Sequence, residues 1–86
     1  MPWEAEKFFR KRLRNKPPQM QAAILRCITR LEGNPRHPGL NVHEIEGTDD
    51  VWEAYVDDKN RVTFHMEGAV IVLRNNCNHD IVRQRP

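Results

Sequence analysis

Histidine and arginine side chains at the ends of predicted strands are the residues of this sequence best suited to chemistry. His43, Arg61, Arg74 and His79 each fall where a predicted strand starts or ends, in consecutive elements. Two histidines beside two arginines suit cleavage of an RNA phosphodiester. A base takes the proton of the 2′-hydroxyl, an arginine holds the phosphate, and an acid protonates the leaving 5′-oxygen. Taken alone, each residue also has an ordinary alternative role as a solvated or hydrogen-bonding surface side chain.

Other chemistries find less support in the residue pattern. The sequence has no Gly-rich phosphate loop ending in Gly-Lys, no His-Glu-x-x-His and no Cys-x-x-Cys. Cys77, His79 and Asp80 with His65 offer metal ligands, but their spacing is common by chance and does not make a defined tetrahedral set, so we expect neither metal nor cofactor. Cys27 lies on an apolar stripe and is predicted to be a core residue, whereas Cys77 is predicted to lie near the surface.

Length and composition limit the protein to a small domain. The chain has 86 residues, a mass of 10.2 kDa and a net charge of +2. We therefore expect a single domain over residues 1–86, with a modest core and a site on an open surface. The longest apolar run, Ala69–Leu73, is too short for a membrane span or a signal peptide, so the protein is predicted to be soluble and cytoplasmic.

Charge is distributed unevenly along the chain. Residues 1–31 carry eight Lys or Arg against two Glu, whereas residues 32–86 carry six basic against ten acidic residues. A basic segment of this kind fits a polyanion or an acidic partner, although a solvated helix face explains it equally well.

Two predicted helices precede the strands. Ala5, Phe9 and Leu13 recur at helical spacing, which predicts a helix over Pro2–Asn15. Pro17 and Pro18 end that helix and begin a second one over Pro18–Glu32, which carries an apolar stripe from Met20 to Leu31. Such a short break predicts a helical hairpin.

A two-residue period follows the helices and predicts an antiparallel meander. Leu40–Glu46 is predicted as an edge strand, Val51–Val56 and Arg61–Met66 alternate, and Ala69–Arg74 is apolar on both faces and therefore central. The expected fold class is α+β, with the N-terminal helical hairpin packed on an antiparallel sheet of about four strands.

In the order of these motifs, the sequence resembles the RelE/ParE toxin superfamily of bacterial type II toxin–antitoxin modules. The resemblance covers about residues 18–82. It rests on five segments: Asn34–Leu40 after the second helix, His43–Gly47, the tryptophan strand Val51–Val56, the arginine-led Arg61–Phe64, and Ile71–Arg74 followed by Asn78–Val82.

The resemblance implies a metal-independent endoribonuclease that cleaves mRNA in the ribosomal A site and is blocked by a cognate antitoxin. By position, His43 corresponds to a basic or general-base residue, Arg61 to the phosphate-contacting arginine, and His79 to the acid or a further phosphate contact. Arg74, Tyr55, Lys11 and Arg14 are candidate RNA contacts, and Glu53 is a candidate neighbour of the site.

Two alternatives to the nuclease stay open. A ParE-like inhibitor of DNA gyrase would not use the histidines, and a catalytically inactive relative would serve as a binding module. Two departures from the superfamily pattern also bear on the outcome. The N-terminus looks too short for the usual leading strand, so the sheet is expected to lack it, and the usual aromatic residue near the C-terminus is missing.

Overall fold

The computed structural model describes residues 2–78, 81–82 and 84–86, which form two helices and a five-stranded mixed sheet. The α+β class is therefore confirmed. In chain order the elements are β1 (Trp3–Ala5), α1 (Lys7–Arg14), α2 (Pro18–Gly33), a 3₁₀ helix (Pro38–Leu40), β2 (His43–Glu44), β3 (Trp52–Tyr55), β4 (Asn60–Glu67) and β5 (Val70–Asn78). The strand order across the sheet is β1-β5-β4-β3-β2.

The first strand departs from the sequence prediction. The expected helix over Pro2–Asn15 is shorter and begins at Lys7, because Trp3–Ala5 pair in parallel with β5. The backbone N–H of Ile71 donates to the carbonyl of Pro2 at 3.0 Å and closes this pairing. The expectations of a missing leading strand and of a purely antiparallel sheet were wrong, since β1 forms on the open edge of β5, far away in sequence.

The helix α1 continues along the same edge of β5 as β1. The side-chain amide of Asn76 donates to the carbonyl of Phe9 at 2.9 Å, and Nε of Arg12 donates to the carbonyl of Asn76 at 3.2 Å. These contacts satisfy polar groups of β5 beyond the point where β1 ends.

The main core lies between α2 and one face of the sheet, which we call the inner face. Pro18 starts α2 at a position where no backbone donor is needed, and the apolar stripe of the helix then faces the strands. The buried core residues are Phe9, Ile24, Cys27, Ile28, Leu31, Leu40, Ala54, Val62, Phe64, Ile71 and Leu73. Cys27 is thus confirmed as a core residue.

The face of the sheet opposite the inner face is called here the outer face. Two local features, a shortened β2 and a β-bulge in β5, determine which side chains lie on it. The predicted edge strand Leu40–Glu46 contracts to the two residues of β2, because Leu40 is buried in the 3₁₀ helix and Asn41 follows with a positive φ of 45°. In β5, Leu73 pairs with Phe64 and Asn75 with Thr63, which leaves Arg74 as the extra residue of a β-bulge. The central position predicted for this strand is confirmed, but the strand runs on to Asn78.

Among the described residues, no helix is long and apolar enough to cross a membrane.

Candidate functional site

One cross-strand row of polar side chains crosses the outer face, and we call it the polar row. His43 on β2 pairs with Glu53 on β3, Glu53 pairs with Thr63 on β4, and Thr63 pairs with Asn75 on β5. Directly paired residues of neighbouring strands project from the same face of a sheet. Glu53, Thr63 and Asn75 are all buried, with exposed fractions of 6%, 0% and 1%. Buried polar groups are costly unless they are partnered, so this row is the most unusual part of the molecule.

His43 and Glu53 form a hydrogen-bonded acid–base pair at one end of the polar row. Nε2 of His43 lies 2.5 Å from Oε1 of Glu53, and Nδ1 lies 2.8 Å from the carbonyl oxygen of Asn41. Because that carbonyl can only accept, Nδ1 is the donor there, and the short contact at Nε2 requires a second proton shared with the carboxylate. The imidazole is half-exposed, whereas Oε2 of Glu53 is buried without a hydrogen-bond partner in the structure.

Arg61 lies on the same face, one paired position beyond the polar row. Its Nη1 donates to the carbonyl oxygens of Asp57 at 2.5 Å and Asn60 at 3.0 Å. Its guanidinium carbon lies 4.9 Å from the ring centre of Tyr55, its cross-strand partner. Among the described residues, no carboxylate forms a salt bridge with Arg61. The β3–β4 turn and the tyrosine ring therefore hold the Arg61 cation in place.

The turn that holds Arg61 is itself well defined. Burial tends to raise the pKa of Asp57, but hydrogen bonds from the Asn60 side chain and from the N–H groups of Lys59 and Asn60 outweigh it, so the pKa lies below its usual value. The hydroxyl of Tyr55 donates to Oδ1 of Asp58 at 2.8 Å. This hydrogen bond is the main cause of the raised pKa of Tyr55.

Arg74 lies at the other end of the outer face from His43. Its Nη1 lies 2.8 Å from Nδ1 of His65, and Nε2 of His65 lies 3.1 Å from Oε1 of Glu67. Since the guanidinium can only donate, Nδ1 of His65 accepts and the ring proton is on Nε2. His65 thus links Arg74 to a carboxylate and does not lie among the residues of the His43–Glu53 pair.

The C-terminal segment 84–86 covers part of the outer face. Oγ1 of Thr63 donates to the carbonyl of Pro86 at 2.7 Å, and Nδ2 of Asn75 donates to the carbonyl of Arg85 at 2.7 Å. The guanidinium carbon of Arg85 also lies 3.9 Å from the ring centre of Phe8 on α1. These contacts explain how Thr63 and Asn75 are buried on a face that no helix covers.

The two cysteines are both buried, which corrects the prediction that Cys77 lies near the surface. Burial raises the pKa of Cys27 to about 12, with a small opposing effect of Arg30. Burial also raises the pKa of Cys77, although Arg12 and Lys16 oppose it. Neither thiol is activated as a nucleophile. In the part of the chain that the structure describes, no three His, Cys, Asp or Glu residues are grouped to hold a metal ion.

The structure brings only some of the predicted site residues together. His43, Tyr55 and Arg61 lie on the outer face around Glu53, and Arg74 lies farther along it. Lys11 and Arg14 are exposed on α1, beside β5 and at the opposite edge of the sheet from His43. His79, the predicted acid, lies outside the described residues.

Thr63 and Asn75 are the polar outer-face residues that the sequence analysis missed. Thr63 stands between the apolar Val62 and Phe64, a pattern that ordinarily means a solvated strand face. Asn75 follows the bulge at Arg74, and a bulge cannot be located by counting alternate residues.

Comparison with known proteins identifies the architecture as that of bacterial and archaeal toxins of toxin–antitoxin systems. A YoeB/ParE toxin from Agrobacterium tumefaciens superposes with a TM-score of 0.77 at 12% identity, covering 92% of this chain and 99% of that one. YafQ from E. coli strain BL21(DE3) gives a TM-score of 0.72 at 14% identity, with coverage of 93% and 94%. The archaeal RelE–RelB complex from Pyrococcus horikoshii OT3 gives 0.65 at 22% identity, with coverage of 90% and 92%.

These structural neighbours confirm the resemblance to the RelE/ParE toxin superfamily at the level of the fold. No protein-family model matches the sequence. No curated protein matches it either. The likeness is therefore one of three-dimensional structure, and the activity must be argued from the side chains.

Proposed function

We propose that this protein is the toxin of a type II toxin–antitoxin module and cleaves mRNA on the ribosome. The observation that carries the proposal is that Arg61 and the His43–Glu53 pair lie on the same face of the sheet, one paired position apart. A preorganised cation and an acid–base pair are the groups that RNA cleavage through the 2′-hydroxyl requires. The toxin fold of the structural neighbours supports the same conclusion.

Each residue has a definite role in the proposed reaction. Arg61 binds the scissile phosphate and stabilises the charge that builds up on it, and because the turn already holds the guanidinium, little reorganisation is needed. In the state that acts as base, the proton shared with Glu53 has passed to solvent, so Nε2 of His43 takes the proton of the 2′-hydroxyl and the Glu53 carboxylate stabilises the resulting imidazolium. His79 protonates the leaving 5′-oxygen. The remaining contacts to RNA come from Tyr55, Arg74, Lys11 and Arg14, and no metal or cofactor takes part.

The proposed partners are a cognate antitoxin, mRNA and the small ribosomal subunit at its A site, all in the cytoplasm. The RelE structure from Pyrococcus horikoshii OT3 was determined together with RelB, which supports an antitoxin for the present chain. The excess of basic residues in positions 1–31 suits both ribosomal RNA and an acidic antitoxin segment.

Induction of the protein in a bacterial host, followed by mapping of mRNA 5′ ends, tests the proposal. We expect growth arrest and new 5′ ends within translated frames. Arg61→Ala should lower the cleavage rate about a hundredfold, as expected when a phosphate contact made in the transition state is lost. Arg10→Ala, which removes an exposed arginine from α1, is the matched control and should cleave like the wild type.

Other outcomes of this experiment would replace the proposal. Arrest with intact mRNA and DNA damage would indicate inhibition of gyrase. Absence of both arrest and cleavage would indicate a binding module. Unchanged cleavage by Arg61→Ala would remove Arg61 from the site.

A further inference from the structure

Three side-chain donors of β4 and β5 converge on the main chain of the C-terminal segment. Thr63 and Arg74 both point a donor at the carbonyl oxygen of Pro86, at 2.7 Å and 3.4 Å, and Asn75 donates to the carbonyl oxygen of Arg85. Thr63 and Asn75 are essentially inaccessible, so their positions are fixed. The result is a cluster of hydrogen-bond donors, here called the donor cluster, which is filled by the main-chain oxygens of Arg85 and Pro86.

The chemistry of the donor cluster suits an anion. A hydroxyl, an amide N–H and a guanidinium all donate there. Hydroxyl, amide and arginine donors are the groups that contact phosphate oxygens in nucleic-acid complexes. Among the described residues, Oδ1 of Asn75 is buried and has no hydrogen-bond partner, so the tail satisfies this side chain incompletely.

The donor cluster continues the proposed cleavage site along the same face. Thr63 follows Arg61 by two residues on β4, so the two residues lie roughly 7 Å apart along the strand. It is also the cross-strand partner of Glu53, at a spacing of roughly 5 Å. A single strand of RNA with one phosphate on Arg61 would therefore place a neighbouring phosphate within reach of Thr63 and Asn75.

The attachment of the tail is light enough to be exchanged. Within the described part of the chain, segment 84–86 forms no strand with the sheet, and its hydrogen bonds with the donor cluster are the three given above. The stacking of Arg85 on Phe8 adds one cation–π contact. Hydrogen bonds and exposed cation–π contacts of this kind each contribute little net stability.

We propose that Thr63, Arg74 and Asn75 form a second phosphodiester-binding site for single-stranded RNA, and that residues 84–86 occupy it as an internal competitor in the free protein. The inference rests on the proposed function and extends it to a regulated substrate site. RNA binding displaces the tail, so the apparent affinity is the intrinsic affinity multiplied by the fraction of molecules in which the tail is released.

Binding of a single-stranded RNA that cannot be cleaved tests this competition. The probe is a short fluorescein-labelled RNA with 2′-O-methyl riboses, and its affinity is measured by fluorescence anisotropy. Arg85→Ala frees the tail from Phe8 and should bind about tenfold more tightly than the wild type, although it loses a positive charge. Arg10→Ala loses the same charge on α1 and should not bind more tightly.

A second pair of variants tests the donor cluster itself. In the Arg85→Ala background, Thr63→Val keeps the size of the side chain but removes its donor, and the gain in affinity should be lost. Thr63→Ser keeps the donor and should retain the gain. Thermal unfolding of each variant confirms that it is folded. Removal of residues 84–86 repeats the test without relying on a substitution, and it should match Arg85→Ala.

The outcomes separate this inference from the proposed function. Weaker or unchanged binding by both Arg85→Ala and the shortened chain would overturn the competition, even if the wild type cleaves mRNA. A gain that Thr63→Val leaves intact would overturn the donor cluster as the site. A gain that depends on Thr63 would support the inference even if no cleavage were found, since the probe cannot be cut.

Discussion

The two faces of the sheet differ in what they bury. The inner face is covered by α2 and buries aliphatic and aromatic side chains such as Phe64 and Leu73. The outer face has a smaller apolar cluster around Cys77 and also buries the polar side chains of Glu53, Thr63 and Asn75. Apolar burial stabilises the fold, whereas buried polar groups cost free energy unless each one is partnered.

The buried polar groups of the outer face are therefore the part of the molecule where incomplete hydrogen bonding lowers the stability of the fold. Among the described residues, three buried side-chain oxygens lack a partner, and two of them, Oε2 of Glu53 and Oδ1 of Asn75, belong to the polar row. Local choices that conflict with a well-packed fold concentrate at functional sites in natural proteins. The binding role proposed for the polar row would account for its residue types.

Leu73→Ala should give the largest change in stability, because it removes a fully buried side chain from the inner face. We expect a loss of about 2–5 kcal/mol in the free energy of unfolding, a large share of the stability of so small a domain. Urea unfolding followed by circular dichroism measures it. Leu25→Ala, at an exposed leucine of α2, is the control, and an equal loss there would contradict the assignment of the core.

Glu53→Gln should distinguish the roles of the two faces more clearly, because we expect it to lower the mRNA cleavage rate with less effect on stability than Leu73→Ala. Loss of the charged hydrogen bond to His43 is offset in part because a buried, incompletely partnered carboxylate is removed, so we expect a stability change within about 2 kcal/mol. The mRNA cleavage rate should fall about tenfold or more, because the imidazolium loses its counter-charge.

The control for Glu53→Gln is Glu44→Gln, which alters an exposed carboxylate on the neighbouring strand β2. It should leave the cleavage rate unchanged. If Glu53→Gln destabilises the protein as much as Leu73→Ala does, then the outer face is structural framework, and the contrast between the two faces does not hold.

The sequence predicted the inner face well because its signals are local. The apolar stripe of α2 and the alternation of Val62 with Phe64 repeat at the periods of a helix and a strand. The strand β1 was missed for the opposite reason. Three residues after Pro2 carry no strand signal of their own, and their pairing depends on β5, about 70 positions away along the chain.

The outer face could be predicted only in part. Counting alternate positions places Glu53, Tyr55 and Arg61 on one face, and the structure agrees. The bulge at Arg74 then shifts the register, and Asn75 becomes the partner of Thr63, which no periodicity reveals. The tail over Thr63 is a contact between residues 23 positions apart and has no sequence signal either.

The two cysteines allow a direct comparison of the faces, with the smallest expected effect on stability. Burial raises the pKa of Cys27, on α2 against the inner face, from 9.0 to about 12, whereas Arg12 and Lys16 oppose the effect of burial at Cys77. Above pH 9 the unfolded chain loses the thiol proton that the native Cys27 keeps, so stability should fall as the pH rises from 9 toward 12. The slope approaches 1.36 kcal/mol per pH unit for one such group, or about 1 kcal/mol between pH 9 and 10.

Urea unfolding at these two pH values measures the loss of stability in the wild type, Cys27→Ala and Cys77→Ala. The titration of lysines and tyrosines is common to all three proteins, so a shallower decline in Cys27→Ala than in Cys77→Ala identifies the inner-face thiol as its source, and equal declines in both would contradict it.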